Sequence, residues 1–317
     1  MRYGIPYQGS KNTIAEWVVD NLPSATLFID LFAGGCAVTH AAMLSGKYQR
    51  FMANDLTEAP EIFKQAAQGE FKGLSTVLTR EEFQQSDDDV LKLLYSFGNN
   101  RTDYLWSREL EPVKVAASRM LAAPSLHERR MAYRTFLREF DNYRRHTVAA
   151  HGKIEGPQGS ERLNRMENLE RLQGLQGLGS FDYSAIEEML QGLEGLQGLE
   201  RLETSRLDYR RVGIPDVPGG VCVYADPPYR DTGQDGYAQA GTFDVEAFDR
   251  WLADIPCMVI VSEYTCPSGC VEITAREKTV TMSANQTGKR MERLFVQERY
   301  MDEYRQRMKQ TTSALFD

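Results

Sequence analysis

Two apolar runs, each closed by a short polar turn, restrict the architecture of this chain more than any other part of it. Residues 26–30 read as a buried strand, Phe32-Ala33-Gly34-Gly35 as a turn and residues 36–45 as a helix, after which Phe51, Met52 and Ala53 form a second strand candidate ending at Asn54-Asp55. Strand, glycine turn, helix and strand in that order open a parallel, doubly wound α/β sheet, whose ligands bind at the carboxyl ends of the strands. A helix over 13–22 precedes them, with Ile14, Trp17, Val18 and Leu22 on one stripe.

The same character returns after Leu207. Strands are expected at 221–225 and 258–262, a helix at 245–255 carrying Phe248, Trp251 and Leu252, and a closing hairpin from 277–282 and 293–297. The stretch between, 57–205, lacks strand signals, is rich in Arg and Tyr, and reads as an inserted helical domain between residues 1–56 and 206–317. Within it, Leu163, Met166, Leu169, Leu172, Leu175 and Leu178, then Leu190, Leu193, Leu196, Leu199 and Leu202, recur at every third position with glycines between. A period of three drifts by about 60° per step on an α-helix. A 3₁₀-like or solenoid-like arrangement and a loosely ordered duplicated linker both remain open.

Composition narrows the setting. No long uncharged apolar run marks a membrane span or leader, and five cysteines without paired spacing suit a reducing compartment, so a cytoplasmic protein is expected. Cys266 and Cys270 have no second pair nearby, and no metal is expected. The net charge of −8 argues against a surface that is basic throughout. Residues 127–146 are locally basic, with Arg130, Arg134 and Arg138 four apart on one helical face. Such a run is either a nucleic-acid face or a solvated one.

Three constellations carry chemistry. Asp226-Pro227-Pro228-Tyr229 follows the apolar run 221–225. The Asp226 carboxylate and the Pro227 carbonyl can accept both hydrogens of an exocyclic amine, the prolines contribute no competing N–H, and Tyr229 is expected as an exposed ring that stacks on the base. That is an acceptor site for methyl transfer. Gly34 and Gly35 let the backbone approach a ligand closely, and Asp55, about 20 residues beyond at the next strand's end, can hold the two hydroxyls of a ribose. Near the start, Tyr7-Gln8-Gly9-Ser10-Lys11 is a glycine turn leading a lysine into a helix. Lys11 could pair with the carboxylate of an amino-acid-bearing cofactor, or be an ordinary surface lysine.

In this order the Gly9-Ser10-Lys11 turn, Asp30 through Gly35, Asp55, Leu207-Asp208-Tyr209, Asp226 through Tyr229, strand 259–263 and the segment 288–295 resemble the Dam-type family of DNA N6-adenine methyltransferases (the D12 class, phage- or prophage-like). The resemblance implies a Rossmann-like, S-adenosyl-L-methionine-dependent methyltransferase sheet with an inserted, mainly helical target-recognition domain. It implies that the Tyr7–Gly9 turn and Lys11 hold the methionine end of the cofactor, that Asp30, Phe32, Gly34 and Gly35 wrap it, that Asp55 binds its ribose, and that Asp208 and Tyr209 border its adenine. Cys36 replaces the last small residue of the family's glycine pattern, which predicts an altered turn. Asn99 and Asn100, ahead of Tyr104 and Trp106, look like the segment beside the DNA, though Gly-Asn-Asn is also an ordinary capped turn.

Implied partners are double-stranded DNA in the nucleoid and a cognate restriction endonuclease, with the chain a monomer or weak dimer. N4-cytosine methylation, methylation of RNA or of a glutamine amide, and a catalytically silent DNA-binding relative are the rival readings.

Overall fold

The computed structural model describes residues 3–5, 7, 9–70, 78–96, 101–151, 193, 196–229, 243–283 and 286–314. The chain forms two compact units, one from Met1–Glu70 with Leu193–Asp317 and the other from Phe71–Gly192.

The first unit is built on a seven-stranded sheet. In chain order its strands are β1 (Leu27–Asp30), β2 (Arg50–Asn54), β3 (Leu202–Ser205), β4 (Val221–Ala225), β5 (Val259–Glu263), β6 (Cys270–Ser283) and β7 (Gln286–Gln297). Across the sheet they run β3-β2-β1-β4-β5-β7-β6, all parallel except β7, which is antiparallel to both β5 and β6. From β1 the chain winds outward through β2 and β3, then returns to the other flank of β1 as β4. Winding therefore reverses between β1 and β4, where open α/β sheets bind ligands.

β1 and β5 are buried along their whole length, as strands covered on both faces must be. Leu27, Ile29 and Leu31, with Val223, Ala225, Val259 and Val261, turn the same way and pack with Phe248 and Leu252. Those two lie four apart on α8 (Val245–Asp254), whose first turn is capped by the Asp244 carboxylate accepting from Ala247 N at 2.9 Å. The other helices of this unit are α1 (Ala15–Asp20), α2 (Ala37–Leu44), α3 (Ala59–Ala67) and α9 (Met301–Ala314).

β3 corrects one expectation, since it lies in the stretch read as strandless. Leu-Glu-Thr-Ser has a single apolar residue, Leu202, which pairs with Phe51 and is buried. An edge strand needs little more, and its sequence signal is correspondingly weak. Together with α3 it belongs to the sheet unit. Leu202 had also completed the three-residue leucine series. Just before it, Leu199–Arg201 make one 3₁₀ turn, while 163–192 of that series lie outside the described residues.

The second unit is helical where described: α4 (Arg80–Gln85), α5 (Asp89–Leu94), α6 (Glu111–Ala122) and α7 (Leu126–His151). Thr79 and Glu82 form a capping box on α4, and the Asp88 side chain caps α5. One core gathers Phe83, Leu94, Tyr95, Tyr104, Trp106 and Val115; a second joins Val113 and Ala116 of α6 to Phe136 of α7. Among the described residues no helix is long and apolar enough to cross a membrane.

Candidate active site

Asp226 is the first residue beyond β4, beside the winding reversal, and its carboxylate is gripped by a lysine from the other end of the chain. A tight turn, Ile14 N to Lys11 O at 2.9 Å, brings Lys11 in ahead of α1. Its Nζ lies 2.7 Å from Asp226 Oδ1 and 2.6 Å from Oδ2. Lys11 is only 3% exposed, which rules out the surface-lysine alternative, while the Asp226 side chain is 16% exposed. Burial pushes the Asp226 carboxyl up, Lys11 opposes that shift, and the Glu292 charge adds to it.

Tyr229 departs from expectation. It is buried and not an exposed platform: its hydroxyl donates to Glu292 Oε1 at 2.6 Å and contacts Lys11, whose ammonium lies 4.6 Å from the ring centroid. The reason is β7, which places Glu292 beside it, a partner the four-residue motif cannot reveal. The half-buried ring here is Tyr264, at the end of β5, with its centroid 4.2 Å from that of Tyr229 and the Arg290 guanidinium 5.1 Å from its own. Pro227 is buried and Pro228 partly so.

Glu292, Lys278, Ser262 and Tyr264 were missed from sequence. Glu292 did leave a signal. It falls in phase with Leu294 and Val296 on the inward side of β7, and all three are fully buried. A carboxylate at such a position needs partners. Ser262 Oγ donates to its Oε1 at 2.8 Å, and Lys278 Nζ lies 4.0 Å from its Oε2. Burial pushes the Lys278 ammonium down from its ordinary value.

The β1–β2 side has a different character. Asp30, at the end of β1, is buried; Thr39 Oγ1 donates to its Oδ2 at 2.9 Å, and Oδ1 has no hydrogen-bond partner among the described residues. Burial, foremost, pushes this carboxyl up to about 7. Asp55 lies just past β2, where its Oδ2 accepts from Gly34 N at 2.9 Å and its Oδ1 from Thr57 N and Oγ1 at 2.9 and 2.7 Å. Asp55 and the glycine turn are thus one hydrogen-bonded structure.

The glycines themselves accommodate the chain's own N-terminal segment. A Cβ on Gly34 would meet the Tyr7 ring at 2.8 Å, and one on Gly35 would lie 2.4 Å from Ile5 O. Gly9 turns with φ +76° before Lys11. Cys36 caps α2 in the left-handed conformation, φ 59° and ψ 31°, with its side chain fully buried. That conformation costs an L-residue roughly 1–2 kcal/mol, so the turn is held by its surroundings.

Asp208 accepts from Arg210 N and forms an ion pair with the Arg210 guanidinium at 2.6 Å, whose hydrogen bond holds its carboxyl below the usual range. Tyr209 is buried among Phe32, Phe243, Phe248 and Trp251. In the helical unit, Arg130, Arg134 and Arg138 lie on the exposed side of α7, opposite the inward-packed Phe136, and Arg138 pairs with Glu139 at 2.9 Å. Asn99 and Asn100 lie outside the described residues.

No curated protein matches the sequence. A family model does, over residues 7–155, a stretch that contains the Lys11 turn, Asp30 through Gly35, Asp55 and α4 to α7. The mostly parallel seven-stranded sheet is consistent with a methyltransferase fold. Over residues 7–155 the chain is similar to the D12 class N6 adenine-specific DNA methyltransferase family.

Proposed function

We propose that the sheet unit moves a methyl group from S-adenosyl-L-methionine to N6 of an adenine swung out of duplex DNA, and that Asp226 receives the amine. The observation that carries this reading is Asp226 itself: a carboxylate beside the winding reversal, accessible to a ligand, in a cluster where Lys11 and Glu292 are sealed. N6 is stacked inside a duplex, so the base must leave the helix to reach any such group.

The residues on the β1–β2 side fit the donor. Asp30 has a buried oxygen without a hydrogen-bond partner, and Asp55 presents a partly buried carboxylate fixed by the glycine turn. Tyr7, Gly9, Phe32, Gly34, Gly35, Asp208 and Tyr209 complete the set assigned to it, whereas Lys11 is held on Asp226. When bound, the donor supplies an already activated methyl group. The protein's task is then positioning and electrostatics.

The Asp226 carboxylate and the Pro227 carbonyl accept the two N6 hydrogens, drawing the nitrogen toward tetrahedral geometry. Burial strengthens Asp226 as an acceptor by raising its affinity for protons, which also suits it to take the proton N6 sheds. The helical unit supplies target recognition, with Arg130, Arg134 and Arg138 on the phosphates.

The test is incubation of the purified chain with methyl-labelled S-adenosylmethionine and unmethylated duplex DNA, followed by base analysis. Label in N6-methyladenine supports the reading. Label in N4-methylcytosine, in RNA or in protein, or DNA binding without label, selects a rival. If a cognate nuclease exists, the methylated word is the one it fails to cut.

A further inference from the structure

Glu292 is a fully buried carboxylate with one oxygen satisfied and one not. Oε1 accepts from Tyr229 at 2.6 Å and Ser262 at 2.8 Å, whereas Oε2 makes no hydrogen bond among the described residues. Two ammoniums stand just outside hydrogen-bond reach: Lys11 Nζ at 3.8 Å from Oε1 and Lys278 Nζ at 4.0 Å from Oε2. A buried charge left so costs free energy that a closer cation would recover.

Lys11 meanwhile lies on both oxygens of Asp226 at 2.6 and 2.7 Å. Those are the oxygens an exocyclic amine must use. For the amine to bind well, Lys11 has to yield, and an ammonium in a buried site cannot simply be left unpaired. The shift it needs is about 1 Å, which the flexible four-carbon stem of a lysine spans by small torsional changes.

We propose that Glu292 is a positioning residue, the alternative counter-ion that takes the Lys11 ammonium off Asp226 when the amine to be methylated engages it. The inference rests on the reading of Asp226 as the amine's acceptor. The entering amine is neutral, so the cluster keeps its two carboxylates and two ammoniums, and only their pairing changes. Tyr229, bonded to Glu292 and in contact with Lys11, joins the two resting places of the ammonium.

E292Q tests this in the full chain. Glutamine keeps the size, and its amide oxygen can still accept from Tyr229 and Ser262, but it offers no charge to Lys11. Expected are a ten- to hundredfold fall in kcat, a KM for duplex DNA and a calorimetric affinity for S-adenosylmethionine within about twofold of the parent, and an acid limb of the kcat profile moved to lower pH. That last shift follows because the Glu292 charge, which raises the Asp226 carboxyl, is gone.

E292D, which keeps the charge but sits one methylene further away, should give intermediate kcat with the acid limb unmoved; if E292Q does not fold, E292D is read alone. Parental kcat in the folded variant overturns the proposal. So does a loss of kcat accompanied by equal losses in KM and cofactor affinity with no shift of the acid limb, since that marks a merely structural role. D226N measured alongside separates the two levels: retained turnover there refutes the reading of Asp226, whereas an inactive D226N beside a fully active E292Q refutes only the role of Glu292.

Discussion

Two clusters of charge, one in each unit, are held in opposite ways. In the sheet unit Lys11 and Glu292 are 3% and 0% exposed, and their partners can be named atom by atom. On α7 of the helical unit the Arg138 side chain is 68% exposed, and Arg130 and Arg134 face solvent beside it. Buried charges act over a few ångströms, depend on geometry and are barely screened by salt. Exposed ones act over about 10 Å at 0.1 M salt and weaken as salt rises. Chemistry needs the first kind of charge, while attraction to a polyanion needs the second.

The sharpest way to break this contrast is Asp226→Asn. If the buried cluster performs the chemistry, turnover falls about a hundred- to a thousandfold, the scale seen when a transition-state partner is removed, while calorimetric affinity for S-adenosylmethionine changes little. Turnover above one-tenth of the parent would end the assignment.

A second test reads burial through pH. The Asp30 carboxyl is pushed up to about 7 from 3.8, so between about pH 4 and 7 the folded chain holds a proton that the unfolded chain has released. Stability contributed by this group therefore falls as pH rises through that window, by a ceiling of about 4 kcal/mol for roughly three pKa units, and is flat above it. Asp30→Asn removes the dependence. Its thermal midpoint should gain on the parent's between pH 5 and pH 8, and a constant gap would show that Asp30 is ionised throughout.

Asp55 should matter next. Its carboxylate is already organised by Gly34 and Thr57, so Asp55→Ala is expected to cost about 1.5–3 kcal/mol of cofactor affinity, roughly ten- to a hundredfold by calorimetry. Unchanged binding would move the ribose site elsewhere.

The smallest effect belongs to the exposed side. Replacing Arg134 and Arg138 together by glutamine should weaken duplex binding modestly and flatten log affinity against log salt by up to about 1.8, or 0.9 per phosphate contact. Arg138 already pairs with Glu139, which lowers its share. A solvated face predicts no change in either affinity or slope, and cofactor affinity should not move on either reading.

What could be read in the sequence followed the reach of the signal. β1, β2, β4, β5 and the closing hairpin announced themselves because apolar runs bounded by turns are local features. The Asp30–Gly35 turn and Asp226 did so for the same reason. β3 did not, having one apolar residue in four, and the packing of Ile5 against Gly35 left no local sign because the two are thirty positions apart. Tyr229 looked exposed because its partner Glu292 is 63 residues away, and the Lys11–Asp226 pair spans 215. Separations of that size are set by strand order, which no local pattern specifies. The phase of Glu292 with Leu294 and Val296 was the one local hint of a buried carboxylate.

Strand order also dictates when the molecule can be finished. β7 follows β6 in the chain yet lies between β5 and β6 in the sheet, so β6 has no place to dock until Gln286–Gln297 has been synthesised. Up to that moment β5, buried along its whole length in the finished fold, is an open edge of the kind that pairs with wrong neighbours. The strand that shields this edge is the one that brings in Glu292. Closure of the open edge and completion of the charge cluster thus arrive in a single docking event.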